Sequence, residues 1–526
     1  MRSVGQAAGA RGGGCPLNRR QFLVGCAAGM AGLAGQRLRG GEPEVPQKPK
    51  VRLVFSHHRQ NAQGRQDEAG WPNLGYDHEG RKKELLAHLR RACPGVEFLP
   101  ATAYNRADAK SILEGDAEVD GYLAYMIGGW AGAAETIAAT GRPTLFVGDL
   151  FGASGEILTA YAAARRNRRK VAVVSSSRLE DVAEAARGFE LLKKPGGSAD
   201  AFLAACNEAR RKSTKPAGDM RCVEDAVKPI AVEECLKTLR SSTILAIGGG
   251  WGMPDSGRAI EALFGTKVLA IEFKELHEAC LKADRAAAAK WADQWIGAAE
   301  KVIEPKREDI ENSGALYLAM RSLLERHNAG AVTINCLGGF YGGHMKAYPC
   351  LGFCQLNNDG LVGACEGDLM STLTMLAVGR LIGRPGFISD PVIDTSKNQI
   401  IYAHCVAPTK VFGPNGTTNP YHIRSHSEDR KGAVARSLMP LGYMTTTVEF
   451  HPAKKQVIMH QGKSVANVDE DKACRSKLAA EVKGDIDKLL REWDRWGWHR
   501  VTFYGDVKAP VQELCQATGM KLLEEA

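Results

Sequence analysis

The chain predicts an α/β protein, with two Rossmann-like, doubly wound parallel-sheet domains followed by a β-rich C-terminal domain. Short apolar runs alternate with helix-compatible segments from Val51 to about Gly383, the pattern of βα units. Beyond Gly383-Arg384-Pro385-Gly386 that pattern gives way to β-branched, alternating segments such as Met444–Phe450. A length of 526 residues with 44% hydrophobic content gives enough material for several buried cores.

The N-terminal segment predicts a targeting function. Asn18-Arg19-Arg20-Gln21-Phe22-Leu23 precedes a run of small apolar residues to Gly35, the twin-arginine pattern, and the run is too short to span a bilayer. Gly40, Gly41, Pro43, Pro46 and Pro49 then read as a linker, so residues 1–49 are assigned to signal and linker. Export by the twin-arginine route to the periplasm or another extracytoplasmic space is the expectation. No later stretch is long and apolar enough to insert stably in a membrane after processing. The net charge of +9 is spread thinly and lacks aromatic–basic interleaving, which argues against a nucleic-acid partner.

Residues 50–166 form the expected N-terminal domain. It has strands at Val51–Ser56, Val96–Leu99, Gly121–Ile127 and Thr144–Val147, a helix from about Arg81 to Ala92, and a surface loop carrying His57, His58, Trp71 and Tyr76. The central domain, residues 167–383, is expected to take its strands from Lys170–Ser175, Thr243–Gly248, Val268–Phe273 and Ala331–Cys336. Its last unit is Leu361–Asp368 followed by a helix with Leu369, Leu373, Leu376, Ala377 and Leu381 near one face. Residues 384–526 supply β-segments at Gly386–Ser389, Gln399–Ala403, Tyr443–Phe450 and Gln456–Gly462, a helix at about Lys477–Trp493, and Trp496–Gly505.

Chemistry is expected where strands end. Glu366 and Asp368 lie at a strand-to-helix junction, a place where open α/β sheets present side chains to ligands. Asp368 reads as the cap of the following helix and Glu366 as a reactive carboxylate. Asp390, His404 and His499 also stand at the ends of apolar runs. Two carboxylates with one or two imidazoles suit a divalent ion such as Mn²⁺ with open coordination positions. Gly248-Gly249-Gly250-Trp251-Gly252, with Glu272 ending the next strand, resembles half of a dinucleotide fingerprint, but Met253 occupies the place of its third glycine. Of 14 cysteines, Cys336, Cys350, Cys354 and Cys365 cluster in sequence without regular ligand spacing, and they read as small buried hydrophobes or a zinc set.

Three stretches together, Cys365–Leu376, Gly383–Asp390 and Ala403–Pro408, resemble the L-fucose isomerase and L-arabinose isomerase superfamily. The likeness extends upstream through Val268–Phe273 and Ala331–Cys336 and downstream to Trp498–Val501. It implies a metal-dependent aldose–ketose isomerase working through an enediolate, with a monosaccharide as substrate and Mn²⁺ or another divalent ion as cofactor. It also implies metal ligation by Glu366, Asp390 and His499, proton transfer by Glu366 and Asp390, and a role for His404 as substrate contact or fourth ligand. A homo-oligomer is implied too, to which His57, His58, Trp71 and Tyr76 are candidates to contribute across subunits. Gly367 and Trp498 depart from the family pattern. The alternatives are a non-catalytic exported sugar-binding protein and, from the Gly248 run, a nicotinamide-dependent oxidoreductase.

Overall fold

The computed structural model describes residues 47–60 and 71–526. The twin-arginine segment and most of the linker lie outside the described residues. Residues 48–526 form one compact unit.

Five parallel strands make the first sheet: β1 (Lys50–Ser56), β2 (Glu97–Ala103), β3 (Gly121–Met126), β4 (Thr144–Gly148) and β5 (Val171–Val174), in the order β2-β1-β3-β4-β5. Val51, Leu53 and Phe55 pack on one side of it and Val54, Ala124 and Met126 on the other, because successive side chains alternate across a strand. Both faces are therefore buried, which accounts for near-continuous apolar strands. The strand Val171–Val174, expected to open the second sheet, instead pairs with β4 and completes the first. Sequence order alone could not place it, since a βα unit can add to either sheet.

The second sheet is smaller: β6 (Thr243–Ile247), β7 (Lys267–Ile271), β9 (Ala331–Ile334) and β10 (Val362–Ala364) run parallel in the order β10-β9-β6-β7. The short β8 (Lys301–Val302) leaves this layer and pairs with β13 (Tyr421–Arg424), which pairs in turn with β14 (Val434–Ser437).

The C-terminal region contains a barrel. β11 (Phe387–Asp394), β12 (Gln399–His404), β15 (Met444–His451), β16 (Gln456–Asn467), β17 (Ser476–Lys483) and β18 (Arg500–Tyr504) are joined in the order β15-β18-β11-β12-β17-β16, and the β15–β16 pairing closes the ring. β19 (Lys521–Glu524) adds to β16 in parallel. The helix expected over Lys477–Trp493 is corrected: Ser476–Lys483 is strand β17, and only Ile486–Glu492 is helical. Its Lys, Ala, Leu and Glu favour helix, but pairing on both edges with β12 and β16 prevails over that weak preference.

Packing ties these layers together. Val448, Phe450, Val501 and Phe503 of the barrel share a core with the second sheet, whereas Phe387, Ile400, Tyr402 and Leu478 share one with helices of the first. The loops at the carboxyl ends of both sheets thereby meet the barrel rim.

Candidate functional site

The turn after β10 sets the first carboxylate. Glu366 and Gly367 both adopt left-handed backbone, at φ 61° and 70°, before Asp368 starts the helix Leu369–Ile382. A non-glycine residue in that region is uncommon and marks a position held by its surroundings. Gly367 is required by proximity as well as by φ, because a Cβ there would lie 3.0 Å from the Gly249 carbonyl. The turn thus aims Glu366 into a cleft while Asp368 accepts from the Met370 and Ser371 backbone N–H groups at 2.9 and 3.1 Å.

Strand register brings the other groups beside it. β11 and β18 pair Ser389 with Arg500, so one step further sets Asp390 against His499. On its other edge Asp390 pairs with Ala403, which places His404 one residue away. The strand runs on through Pro391 to Asp394. His499 Nε2 lies 3.3 Å from Asp390 Oδ1 and 3.7 Å from Glu366 Oε2, and His404 Nε2 lies 3.8 Å from Glu366 Oε1. The four sequence-predicted residues converge. Glu366 comes from the second sheet and the other three from the barrel.

Two further residues decide what the imidazoles can do. Asp368 Oδ2 stands 2.9 Å from His499 Nδ1, so that nitrogen carries a proton and donates, leaving Nε2 to face the carboxylates. Asp368 is therefore both helix cap and orienting partner, a second role invisible in sequence because its partner lies 131 positions away. His404 has the opposite arrangement: its Nδ1 accepts from the Cys405 backbone N–H at 2.9 Å, so its proton sits on Nε2. Both Nε2 atoms are buried and lack a hydrogen-bond partner. Trp498 donates its indole N–H to Asp390 Oδ1 at 2.5 Å, fixing that carboxylate.

These environments separate the ionisations. Burial pushes Glu366 up to about 7, reinforced by Asp390 and Asp368 and opposed by His499. Burial would also raise Asp390, but the neighbouring His499 side chain holds it below its usual range. Burial lowers His404 to about 4, so it is neutral. For His499 burial acts downward, yet Asp368 and Asp390 raise it well above the usual value. A cation placed beside Nε2 would replace the proton held there.

Ligand atoms of Asp390, His404 and His499 lie within 4.8 Å of one another, as do those of Cys365, Glu366 and His404. Oxygen and imidazole donors in a partly exposed pocket fit a divalent ion. Both sets include His404, whose Nε2–H in this tautomer also makes it a donor to an oxygen atom. Glu366, Asp390, His404 and His499 are the groups that could hold such an ion.

The cleft encloses about 380 Å³ and is lined by Trp71, Trp130, Trp251, Trp498, Glu366, Asp390 and Glu428, with glycines between them. Trp251 stacks on His499 at 5.3 Å, and Trp130 meets Trp498 edge-on at 5.5 Å. Among the loop candidates, Trp71 lines this cleft in its own chain. His57 is buried and stacked on His78 at 4.1 Å, whereas a surface loop was expected, and Tyr76 meets His78 edge-on. Glu428 and Trp130 were not anticipated, since neither stands in a motif. Of the four clustered cysteines, all free and buried, Cys336 and Cys365 touch at 3.3 Å and only Cys365 joins a candidate ligand set among the described residues.

The chain is similar to sulfoquinovose isomerases. The one from Clostridium sp. (strain MSTE9) is 25% identical over 323 residues, covering 55% of this chain and 66% of that protein. The one from Alkalicoccus urumqiensis is 27% identical over 157 residues, covering 29% and 34%, and that from Priestia megaterium is 24% identical over 196 residues, covering 35% and 42%. The matched stretches thus span less than two thirds of the relatives' own length. No protein-family profile matches the chain. Among solved structures, the XylFII-LytSN complex covers 57% of this chain and 86% of its own at 13% identity and a TM-score of 0.15, too low for any likeness of fold to be drawn. Among the described residues no helix is long and apolar enough to cross a membrane.

Proposed function

We propose that the chain is an aldose–ketose isomerase acting on a monosaccharide, with a divalent ion held by Glu366, Asp390 and His499. The observation that carries the reading is the clamp on His499. Asp368 fixes its Nδ1 as a donor, and its unpartnered Nε2 faces two carboxylates in a cleft. A carboxylate that holds the far ring nitrogen in this way orients a ligating histidine. The similarity to sulfoquinovose isomerases supports the same reaction class.

When bound, a divalent ion supplies Lewis-acid polarisation of the carbonyl. Glu366 takes the proton from the carbon next to the carbonyl, which leaves an enediolate. Returning that proton to the neighbouring carbon, while the hydroxyl proton moves between the two oxygens, completes the interconversion. His404 donates its Nε2–H to the oxygen on which charge develops. Asp390, held ionised and fixed by Trp498, assists the oxygen-to-oxygen transfer. The Asn18–Leu23 motif supports export by the twin-arginine route as part of this reading.

The test is solvent-exchange NMR in D₂O, with the full chain supplied with Mn²⁺ and a panel of aldoses and ketoses. Deuterium should enter at C1 or C2, and Glu366→Gln should slow that exchange by roughly 10³-fold. Absence of exchange with every sugar, or undiminished exchange by Glu366→Gln, would overturn the reading.

A further inference from the structure

We infer that Glu156 is a positioning residue for this site: it holds the turn that carries Trp130 and, through the Trp130 and Trp498 rings, the Asp390 carboxylate. The inference rests on the isomerase reading for the sugar that this wall meets. It adds to that reading a buried residue behind the wall of the cleft.

Trp130 adopts left-handed backbone at φ 67°, and Gly132 follows at φ 71°. That region disfavours a bulky side chain, so a tryptophan stays in it only when its surroundings hold it there. Glu156 supplies the hold. It lies 3% exposed in the first turn of the helix Ser154–Arg166. Its two oxygens accept from successive backbone N–H groups, Oε2 from Ala131 at 3.2 Å and Oε1 from Gly132 at 2.8 Å. Successive N–H groups that converge on one anion form a concavity in the backbone, with the anion at its centre. Burial pushes the Glu156 carboxyl up to about 7, and the N–H groups of Gly132, Ala131 and Trp130 act in the opposite sense. Without those donors a buried carboxylate would be costly, so turn and carboxylate each require the other.

From that turn the contacts lead to the carboxylate in the cleft. Trp130 meets Trp498 edge-on at 5.5 Å, and Trp498 donates its indole N–H to Asp390 Oδ1. Gly155, the residue before Glu156, lies beneath both rings: a Cβ there would stand 2.7 Å from Trp498 and 2.9 Å from Trp130. One helix start thus carries both the bare surface on which two indoles rest and the carboxylate that holds one of them in place. The seat is tight as well. A Cβ on Gly152 would lie 2.0 Å from the Ile127 carbonyl, so the loops leading to Trp130 and to Glu156 approach backbone to backbone. Displacing the Trp130 turn therefore disturbs its edge-on contact with Trp498 and, with it, the donor on Asp390. A carboxylate that merely satisfied two N–H groups would leave Trp498 and the sugar unaffected.

Fluorine NMR of the full chain labelled with 5-fluorotryptophan tests this without any sugar. Trp130→Phe, Trp498→Phe and Trp291→Phe assign three resonances by their loss. Glu156→Gln puts an NH₂ where one oxygen accepted, and Glu156→Asp draws the carboxylate back by one methylene. Either change should shift or broaden the Trp130 and Trp498 resonances. The Trp291 resonance, from a ring packed on Trp295 and Tyr317, should stay fixed. Solvent exchange is then followed with whichever aldose or ketose the Mn²⁺-loaded parent exchanges fastest. Glu156→Gln should raise KM for that sugar by roughly tenfold. Combined with Trp130→Ala it should cost no more than Trp130→Ala alone, because both act through one ring. Unmoved resonances in both variants, costs that add in the combined variant, or failure of both variants to fold would overturn the inference. A parent that exchanges no sugar would overturn the isomerase reading and leave the fluorine spectra to decide whether Glu156 holds Trp130.

Discussion

Asp368 shows how much one side chain can be asked to do. Its Oδ1 accepts from two backbone N–H groups at the start of the helix Leu369–Ile382, and its Oδ2 accepts from His499. Asn keeps one oxygen for the cap but puts an NH₂ where the second oxygen was, so Asp368→Asn separates the two roles. The variant should unfold within about 1 kcal/mol of the parent and lose roughly 10- to 100-fold in Mn²⁺ affinity. Calorimetric metal titration beside urea denaturation checks this, and unaltered metal affinity would remove Asp368 from the site. The cap was legible because Asp precedes a helical apolar run. Its bond to His499 was not, because nothing in a linear chain signals a partner 131 positions away. Glu366, Asp390, His404 and His499 were legible as polar residues ending apolar runs, and by resemblance. Trp130 and Glu428 carry no such mark, and they reach the cleft only through loop geometry.

At the level of elements, the Gly248–Gly252 run is accounted for by packing. Trp251 N–H donates to the Gly367 carbonyl at 2.8 Å, and a Cβ on Gly250 would sit 2.9 Å from the Leu369 side chain. The loop lies directly against the Glu366 turn and carries Trp251 onto His499. Its glycines therefore serve a close backbone approach, the same physical demand that a phosphate makes, and sequence cannot tell the two apart. Gly248 is the most constrained of them, with φ 71° and a would-be Cβ 2.1 Å from the Phe273 ring. Gly248→Ala should destabilise the protein by roughly 1–3 kcal/mol. It should also weaken sugar binding through displaced Trp251, read by urea denaturation and fluorescence titration; unchanged values in both would refute the packing account. Strands β6, β9 and β15 were legible because the apolar pattern and burial agree there, whereas β7 was legible from its apolar run although only Ile271 of it is buried. β17 and β5 were misplaced for a shared reason: each owes its position to its neighbours in a sheet, and such pairing is long-range.

The whole molecule is held as one unit because the barrel shares cores with both α/β layers, and one buried charge network anchors its closure. Arg500, which begins β18, donates to the Glu525 carboxylate and to the carbonyls of Trp493 and His499. His460 of β16 contacts Glu525 through Nδ1 at 2.8 Å and the Tyr402 hydroxyl of β12 through Nε2 at 2.7 Å. Glu525 thus links the segment after β19 to three barrel strands. Burial would raise its pKa, but the Arg500 charge and the His460 and Arg500 hydrogen bonds hold it at about 2. A carboxyl whose folded pKa lies below its unfolded value adds stability that is complete above the unfolded value. That stability is lost as pH falls through the folded one. Here the window runs from about 4.5 down to about 2, and the contribution is roughly 3 kcal/mol. Glu525→Gln removes the ionisation and leaves the Arg500 charge buried without its counter-ion, so it should cost roughly 3–5 kcal/mol at pH 7. Urea denaturation of both proteins at pH 7, 4 and 2.5 should show their difference shrinking only below pH 4.5. A gap that stays constant across that series would mean that packing, not charge, secures this corner of the barrel.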